Sequence, residues 1–112
     1  MPHTPVLGEF EVIVLLGVLR LTEAGDVAYG SSIRHVIAEH ANRPVARGAI
    51  YVTLDRLEAK RLLTSRLGEG DLARDRRPRR LFALTPAGLK ALRQAVSLVN
   101  RMQAGLEPVL EP

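Results

Sequence analysis

Ala46-Arg47-Gly48-Ala49-Ile50-Tyr51-Val52-Thr53-Leu54-Asp55-Arg56-Leu57-Glu58-Ala59-Lys60, followed after Arg61-Leu62 by Leu63-Thr64-Ser65-Arg66-Leu67, changes its apolar period midway. In the first part Ile50, Leu54 and Leu57 recur at i, i+4 and i+7, the spacing of one helix face. In the second part apolar and polar side chains alternate, as in a half-buried strand. At about 100° per residue the far side of the helix carries Gly48, Val52 and Asp55, flanked by Tyr51 and Arg56. Its small N-terminal residues allow close approach to a groove.

Downstream, Arg80-Leu81-Phe82-Ala83-Leu84 is a suitable antiparallel partner for the strand, giving a hairpin. The connection from Gly68 to Arg79 is long for a hairpin and contains Gly68, Gly70 and Pro78, so mobility without a ligand is expected. Its returning half, Arg74-Asp75-Arg76-Arg77-Pro78-Arg79-Arg80, holds five of the 16 basic residues and one of the 12 acidic ones. The remainder balances at 11 of each sign, so the whole formal charge of +4 sits in this loop. Charge this concentrated suits a polyanion, with duplex DNA the expected one. Arginine forks onto phosphate oxygens and gains from the potential of a narrow minor groove. Arg79 and Arg80 lie nearest the strand and are positioned by it, whereas Arg74, Arg76 and Arg77 are the more flexible contacts.

Upstream, Gly8-Glu9-Phe10-Glu11 opens a helix that runs to about Ala24, where Gly25 stops it. Its middle, Val12 to Leu19, is apolar all round, more than a monomer of 112 residues easily buries. Gly30-Ser31-Ser32 starts a second helix, with a serine hydroxyl able to cap backbone amides and Ile33, Val36 and Ile37 facing inward to about Ala41. Asn42 and Pro44 end it. Thr85-Pro86 is a strong start for a last helix, a capping hydroxyl followed by proline at the first helical position. Along it Leu89, Leu92, Val96 and Val99 form a heptad-like seam that continues through Gln103 to Leu106 and needs a partner. Glu107 to Pro112 reads as a frayed tail, since its prolines bar continuation of that helix.

Three helices, a basic-tipped hairpin and a closing helix follow the order of a winged helix-turn-helix, a mainly α fold with a small β-hairpin. Leu7-Gly8-Glu9-Phe10-Glu11, Tyr29-Gly30, the stretch Gly48 to Glu58, Arg79-Arg80-Leu81-Phe82 and Leu84-Thr85-Pro86-Ala87-Gly88 together resemble the PadR family of bacterial transcriptional regulators, over residues 7 to 93. The resemblance implies a homodimer on a roughly palindromic operator, usually repressing, with the third helix in the major groove and the wing along the backbone or minor groove. It divides the chain into a DNA-binding domain at 1–85, a dimerisation helix at 86–107 packed on that domain, and a tail at 108–112. DNA contacts are expected from Ser31, Arg47, Gly48, Tyr51, Val52, Thr53, Arg56, Arg74, Arg76, Arg77, Arg79 and Arg80. The dimer interface is expected from Phe10, Val12, Leu15, Leu16 and Leu19 with Leu89, Leu92, Val96, Val99, Met102 and Leu106.

Two positions depart from the family pattern. Ala46-Arg47 stands where the family often has serine or proline before the glycine, removing the cap and bringing an arginine to the DNA side. Asp55 stands where a basic residue is common, and it would repel phosphate unless it pairs with Arg56 or accepts from a cytosine amine.

The chain fits one small domain, and its longest apolar run is far below the roughly 20 residues of a membrane span. No secretory signal is legible, so a cytoplasmic location is expected. Cysteine is absent, which removes disulfides, thiol sensing and cysteine zinc sites. His35 and His40 are five apart, off a common helix face, and His3 stands alone near the start, so no metal is expected. No nucleophile, acid-base pair or phosphate loop is legible, so neither an enzyme nor a cofactor is expected. A rival reading is a winged-helix protein-interaction or oligomerisation module without DNA binding, favoured by Asp55. A small-molecule effector at the dimer interface is a further reading, for which Phe10 is the one aromatic in the first helix.

Overall fold

The computed structural model describes residues 6–68 and 78–112. Its first helix, α1 (Glu9–Glu23), begins where Glu11 turns back to accept the Gly8 amide at 3.0 Å. Glu9 and Glu11 occupy the first turn, where acids complement the helix dipole. α2 (Gly30–Ala41) starts differently from expectation: Ser32, three residues after Tyr29, accepts the Tyr29 amide at 3.0 Å, while Tyr29 takes the cap position without side-chain help. The helix ends at Asn42, which takes the left-handed conformation (φ 53°) that asparagine tolerates. α3 (Arg47–Ala59) has no side-chain cap, as the sequence predicted.

β1 (Leu63–Leu67) and β2 (Arg80–Leu84) pair antiparallel in the register Leu63 to Leu84 and Leu67 to Arg80. The Phe82 amide, on the outer edge of β2, donates to the Ala28 carbonyl at 2.7 Å, tying the wing to the segment before α2. Fully buried Val14, Leu15, Val18, Ile33, Ile50, Leu54, Leu57, Leu62 and Leu63 form the core, with Phe82 and Leu92 closing it. Lys60 at the end of α3 reaches the half of α1 that holds Glu11, with Nζ 2.7 Å from the carboxylate. Burial is the largest single influence on Glu11 and raises its pKa. The opposing pull of Lys60, the Gly8 amide and Arg56 wins and holds the carboxyl below its ordinary range.

α4 (Pro86–Gln103) is anchored as Thr85-Pro86 implied, with the Thr85 hydroxyl accepting the Gly88 amide at 2.9 Å. The same hydroxyl donates to the Arg61 carbonyl at 2.7 Å, and the Thr85 amide donates to the Leu62 carbonyl at 3.2 Å. The helix start is thereby fixed on the turn joining α3 to β1. The helix stops at Gln103 rather than Leu106, because Gly105 reverses the chain at φ 87°. The expected frayed tail folds as one further turn, α5 (Glu107–Leu110). Proline is barred from a helix interior but suits a first turn, where Pro108 sits.

A Cβ placed on Gly88 would lie 2.0 Å from the Leu62 carbonyl oxygen, so only glycine permits this docking. Gly88→Ala is expected to lower unfolding stability by about 3 kcal/mol, the upper end of ordinary overpacking costs. The midpoint of denaturant unfolding measures it; an unchanged midpoint contradicts the close backbone contact.

Candidate nucleic-acid interface

The outward face of α3 presents Arg47, Gly48, Tyr51, Val52, Asp55 and Arg56 to solvent. Thr53, expected as a DNA contact, is corrected: it is 5% exposed. Three residues on from Ile50, it lies only about 60° from that core direction, and the core claims it. Among the described residues no atom lies within 4 Å of where a Cβ on Gly48 would stand, so no contact with them demands glycine there. Arg56 is solvent-exposed, and its charge also acts on Glu11, which places it toward α1.

α2 and α3 share an electrostatic feature that α1 lacks. Neither has an acid in its first turn, whereas α1 has both glutamates there, and the neutral Ser32 hydroxyl meets only the Tyr29 amide of α2. Partial positive charge therefore stays uncompensated at the N-termini of the two helices that meet at the turn. Arg47, at the first position of α3, adds a full charge, its guanidinium carbon 5.8 Å from the Tyr51 ring centre. Such a placement is unfavourable for an isolated helix and favourable once an anion arrives.

Three elements converge beside the start of α2. The Tyr51 ring reaches across from α3 and lies on Gly30, where a Cβ would come within 2.5 Å of the phenolic oxygen. Arg79, from the wing, stacks its guanidinium over Tyr29 at 4.4 Å. Ser31, next along the helix, is exposed. The sequence motif Tyr29-Gly30 thus acquires a physical meaning: the aromatic seats an arginine, and the glycine clears space for a tyrosine. Neither role was legible from periodicity, which marked Gly30 only as a helix start.

Arg80 behaves differently from its neighbour. Its guanidinium donates to Asp55 at 2.9 Å and to Glu58, and lies 4.9 Å over the Phe82 ring. Ser65 on β1 donates to the other Glu58 oxygen at 2.6 Å. The Ser65 hydrogen bond foremost holds the Glu58 carboxyl below its ordinary range; burial opposes it, and Arg80 adds its own bond and charge to the lowering. Arg80 is raised above its ordinary value, first by the bond to Asp55. The expectation of Arg80 as an uncommitted phosphate contact is therefore corrected to a guanidinium already shared by two carboxylates. Asp55 pairs with neither Arg56 nor solvent alone. Arg74, Arg76 and Arg77 lie outside the described residues, as does most of the expected mobile connection.

The surplus apolar surface is real but differently divided. Leu15 and Leu92 are 0% and 3% exposed and belong to the chain's own core, which corrects their assignment to an interface. Each points inward because its helix turns that side to the hydrophobic cluster, while Leu16 and Val96 on the same helices remain exposed. Phe10, Val12, Leu19 and Leu89 are half-buried, and Val99, Met102 and Leu106 are exposed. Leu98, Val109 and Leu110 are exposed as well, and the heptad reading missed them. An open groove of about 620 Å³ runs between the start of α1 and α4, lined by Leu7, Val12, Ile13, Ala95 and Val99 among others. Among the described residues no cluster of potential metal ligands occurs, and no helix is long and apolar enough to cross a membrane.

A tri-helical core, a two-stranded wing docked on the third helix and a closing helix define a winged helix-turn-helix regulator. Residues 15–94 match the model of the transcriptional regulator PadR-like family, and the chain belongs to that family. A PadR-family regulator from Eggerthella lenta is similar in structure at a TM-score of 0.64 and 28% identity, covering 86% of this chain and 81% of its own. A PadR-like transcription factor from Bacteroides fragilis superposes at 0.71 with 24% identity, covering 89% and 88%. A PadR-like regulator from Bacillus cereus superposes at 0.70 with 19% identity, covering 92% of each chain. Comparison with curated protein sequences gives no significant match.

Gly30→Ala tests the convergence at the α2 start. It should preserve the helical far-UV spectrum, since the obstacle is a movable side chain, and cost no more than about 1 kcal/mol. The aromatic proton signals of Tyr51 should shift in an NMR spectrum while those of Phe82 stay; unshifted Tyr51 signals contradict the contact.

Proposed function

We propose that this regulator is a homodimeric, cytoplasmic repressor that binds a pseudo-palindromic operator in duplex DNA. The observation that carries the reading is the meeting of two acid-free helix starts with Arg47, Tyr51 and Arg79. In this reading the N-terminal half of α3 enters the major groove, with Gly48 allowing the backbone to approach and Arg47 and Val52 facing base edges. Ser31, Tyr51 and Arg79 grip a backbone phosphate at the start of α2. The arginines at 74, 76 and 77 extend the contact along the duplex.

The groove between α1 and α4, together with the exposed Val96, Val99, Met102 and Leu106, is the surface proposed to receive the partner subunit. A twofold arrangement then sets the two α3 helices about 34 Å, one helical turn, apart. The rival reading of a protein-binding module drew its support from Asp55, and the pairing of Asp55 with Arg80 withdraws that support. Among the described residues the groove is lined by aliphatic and amide side chains and the Glu9 carboxylate, without an aromatic, so no flat effector is proposed.

If each subunit neutralises about three phosphates, log affinity should fall against log salt with a slope of about −5. Fluorescence anisotropy with a duplex from the gene's own promoter region, in the presence of nonspecific competitor, measures it. Replacing Arg76 and Arg77 together by alanine should flatten the slope toward about −2, from roughly 0.9 per phosphate in each of two subunits. Absence of binding at low salt, or a double variant with unaltered slope, contradicts the proposal.

A further inference from the structure

The wing carries two adjacent arginines with opposite surroundings. Arg79 stacks on Tyr29 and has no carboxylate partner among the described residues. Arg80 is bound by Asp55 from the centre of the outward face of α3 and by Glu58 one turn on, while Ser65 fixes Glu58 from the opposite strand. Its face is covered by Phe82, which is itself core. One positive and two negative charges make this cluster net negative, although it lies between two elements read as DNA-binding. A phosphate brought to Arg80 would meet both carboxylates.

The cluster also adds a polar tie between the wing and α3, which otherwise meet through the apolar core. The wing touches α3 on the side chains of β1 and β2, and of these only Ser65 and Arg80 make polar contacts with the helix among the described residues. A guanidinium held at two nitrogens and stacked on a ring is a rigid connector, because its planar fork cannot swivel without breaking both bonds.

We propose that Asp55 and Glu58 turn Arg80 into a positioning residue that sets the wing's distance from α3 and withhold its charge from the phosphate backbone, limiting indiscriminate binding to polyanions. This rests on the DNA-binding reading above. It also assigns a role to Asp55, the residue least expected on a DNA-facing helix: the acid keeps the C-terminal half of α3 off the backbone while Arg47 draws the N-terminal half in. The strand pair then holds Arg79 where α2 begins.

The test compares salt slopes for single variants of the full chain on its promoter duplex and on an unrelated duplex. Arg79→Ala should flatten the slope of the dimer by about 1.8, from roughly 0.9 per lost phosphate contact in each subunit. Arg80→Ala should leave the slope as it is and lower only the ratio of specific to nonspecific affinity, and Arg80→Lys should restore that ratio in part. Asp55→Asn combined with Glu58→Gln keeps hydrogen-bond acceptors of the same shape and so keeps the fold. Freed of its partners' charge, Arg80 should then reach phosphate, steepening the slope by about 1.8 and making affinity about tenfold more sensitive between 50 and 200 mM salt. A slope flattened by Arg80→Ala as much as by Arg79→Ala overturns the inference and leaves the DNA-binding reading standing. So does an unchanged slope in the carboxamide variant. Failure of the unaltered chain to bind either duplex overturns both.

Discussion

The Leu62 carbonyl, met at close range by the Gly88 backbone and by the Thr85 amide, is the point from which the rest of the molecule takes its direction. Leu62 ends the turn after α3, and Leu63, the next residue, pairs with Leu84 just before Thr85. The base of the wing and the start of α4 are thus fixed by the same few backbone atoms. Because these contacts are between backbones, side-chain rearrangement cannot relax them. Once they are made, the hairpin must leave along the outward side of α3, and α4 must run past α1 with its lower apolar residues uncovered.

From that anchor the chemistry divides along α3. Its N-terminal end gathers uncompensated amides, Arg47 and the Tyr51 phenol, and the wing brings Arg79 to the neighbouring start of α2. Its C-terminal half gathers carboxylates, each occupied: Asp55 and Glu58 by Arg80, and Glu11 of α1 by Lys60 just past the helix. One end attracts an anion and the other is already neutralised or negative. A helix with this gradient prefers to meet DNA by its tip rather than along its length, which agrees with a recognition helix whose first residues contact base edges.

Period and punctuation made most of the fold legible. The i, i+4, i+7 spacing of Ile50, Leu54 and Leu57 and the alternation in both strands correspond to elements whose ends moved by at most a residue, and the Thr85-Pro86 cap marks the start of α4, whose far end falls three residues short of Leu106. What failed depended on tertiary partners. Thr53 and Leu15 sit where helical angle alone leaves either side open, and the neighbouring helix decided both. Arg80 looked like one more basic loop residue because its two acids lie 22 and 25 positions earlier, beyond any local pattern. The last turn was missed because Pro108 was taken to bar a helix that it instead begins. For the interface the residue types were readable, but the geometry joining Tyr51, Gly30 and Arg79 required three separate elements to meet.

The central claim is that α3 lies in the major groove once per subunit, with the two copies a helical turn apart. Ala59 is exposed at the far end of α3, and the chain has no cysteine, so Ala59→Cys gives a single attachment point for an iron–EDTA cleaving group. Cleavage of promoter DNA by the labelled protein should fall in two compact clusters centred about 10 base pairs apart, symmetric about the operator's middle. A single cluster, or cleavage spread evenly along the duplex, would contradict the account.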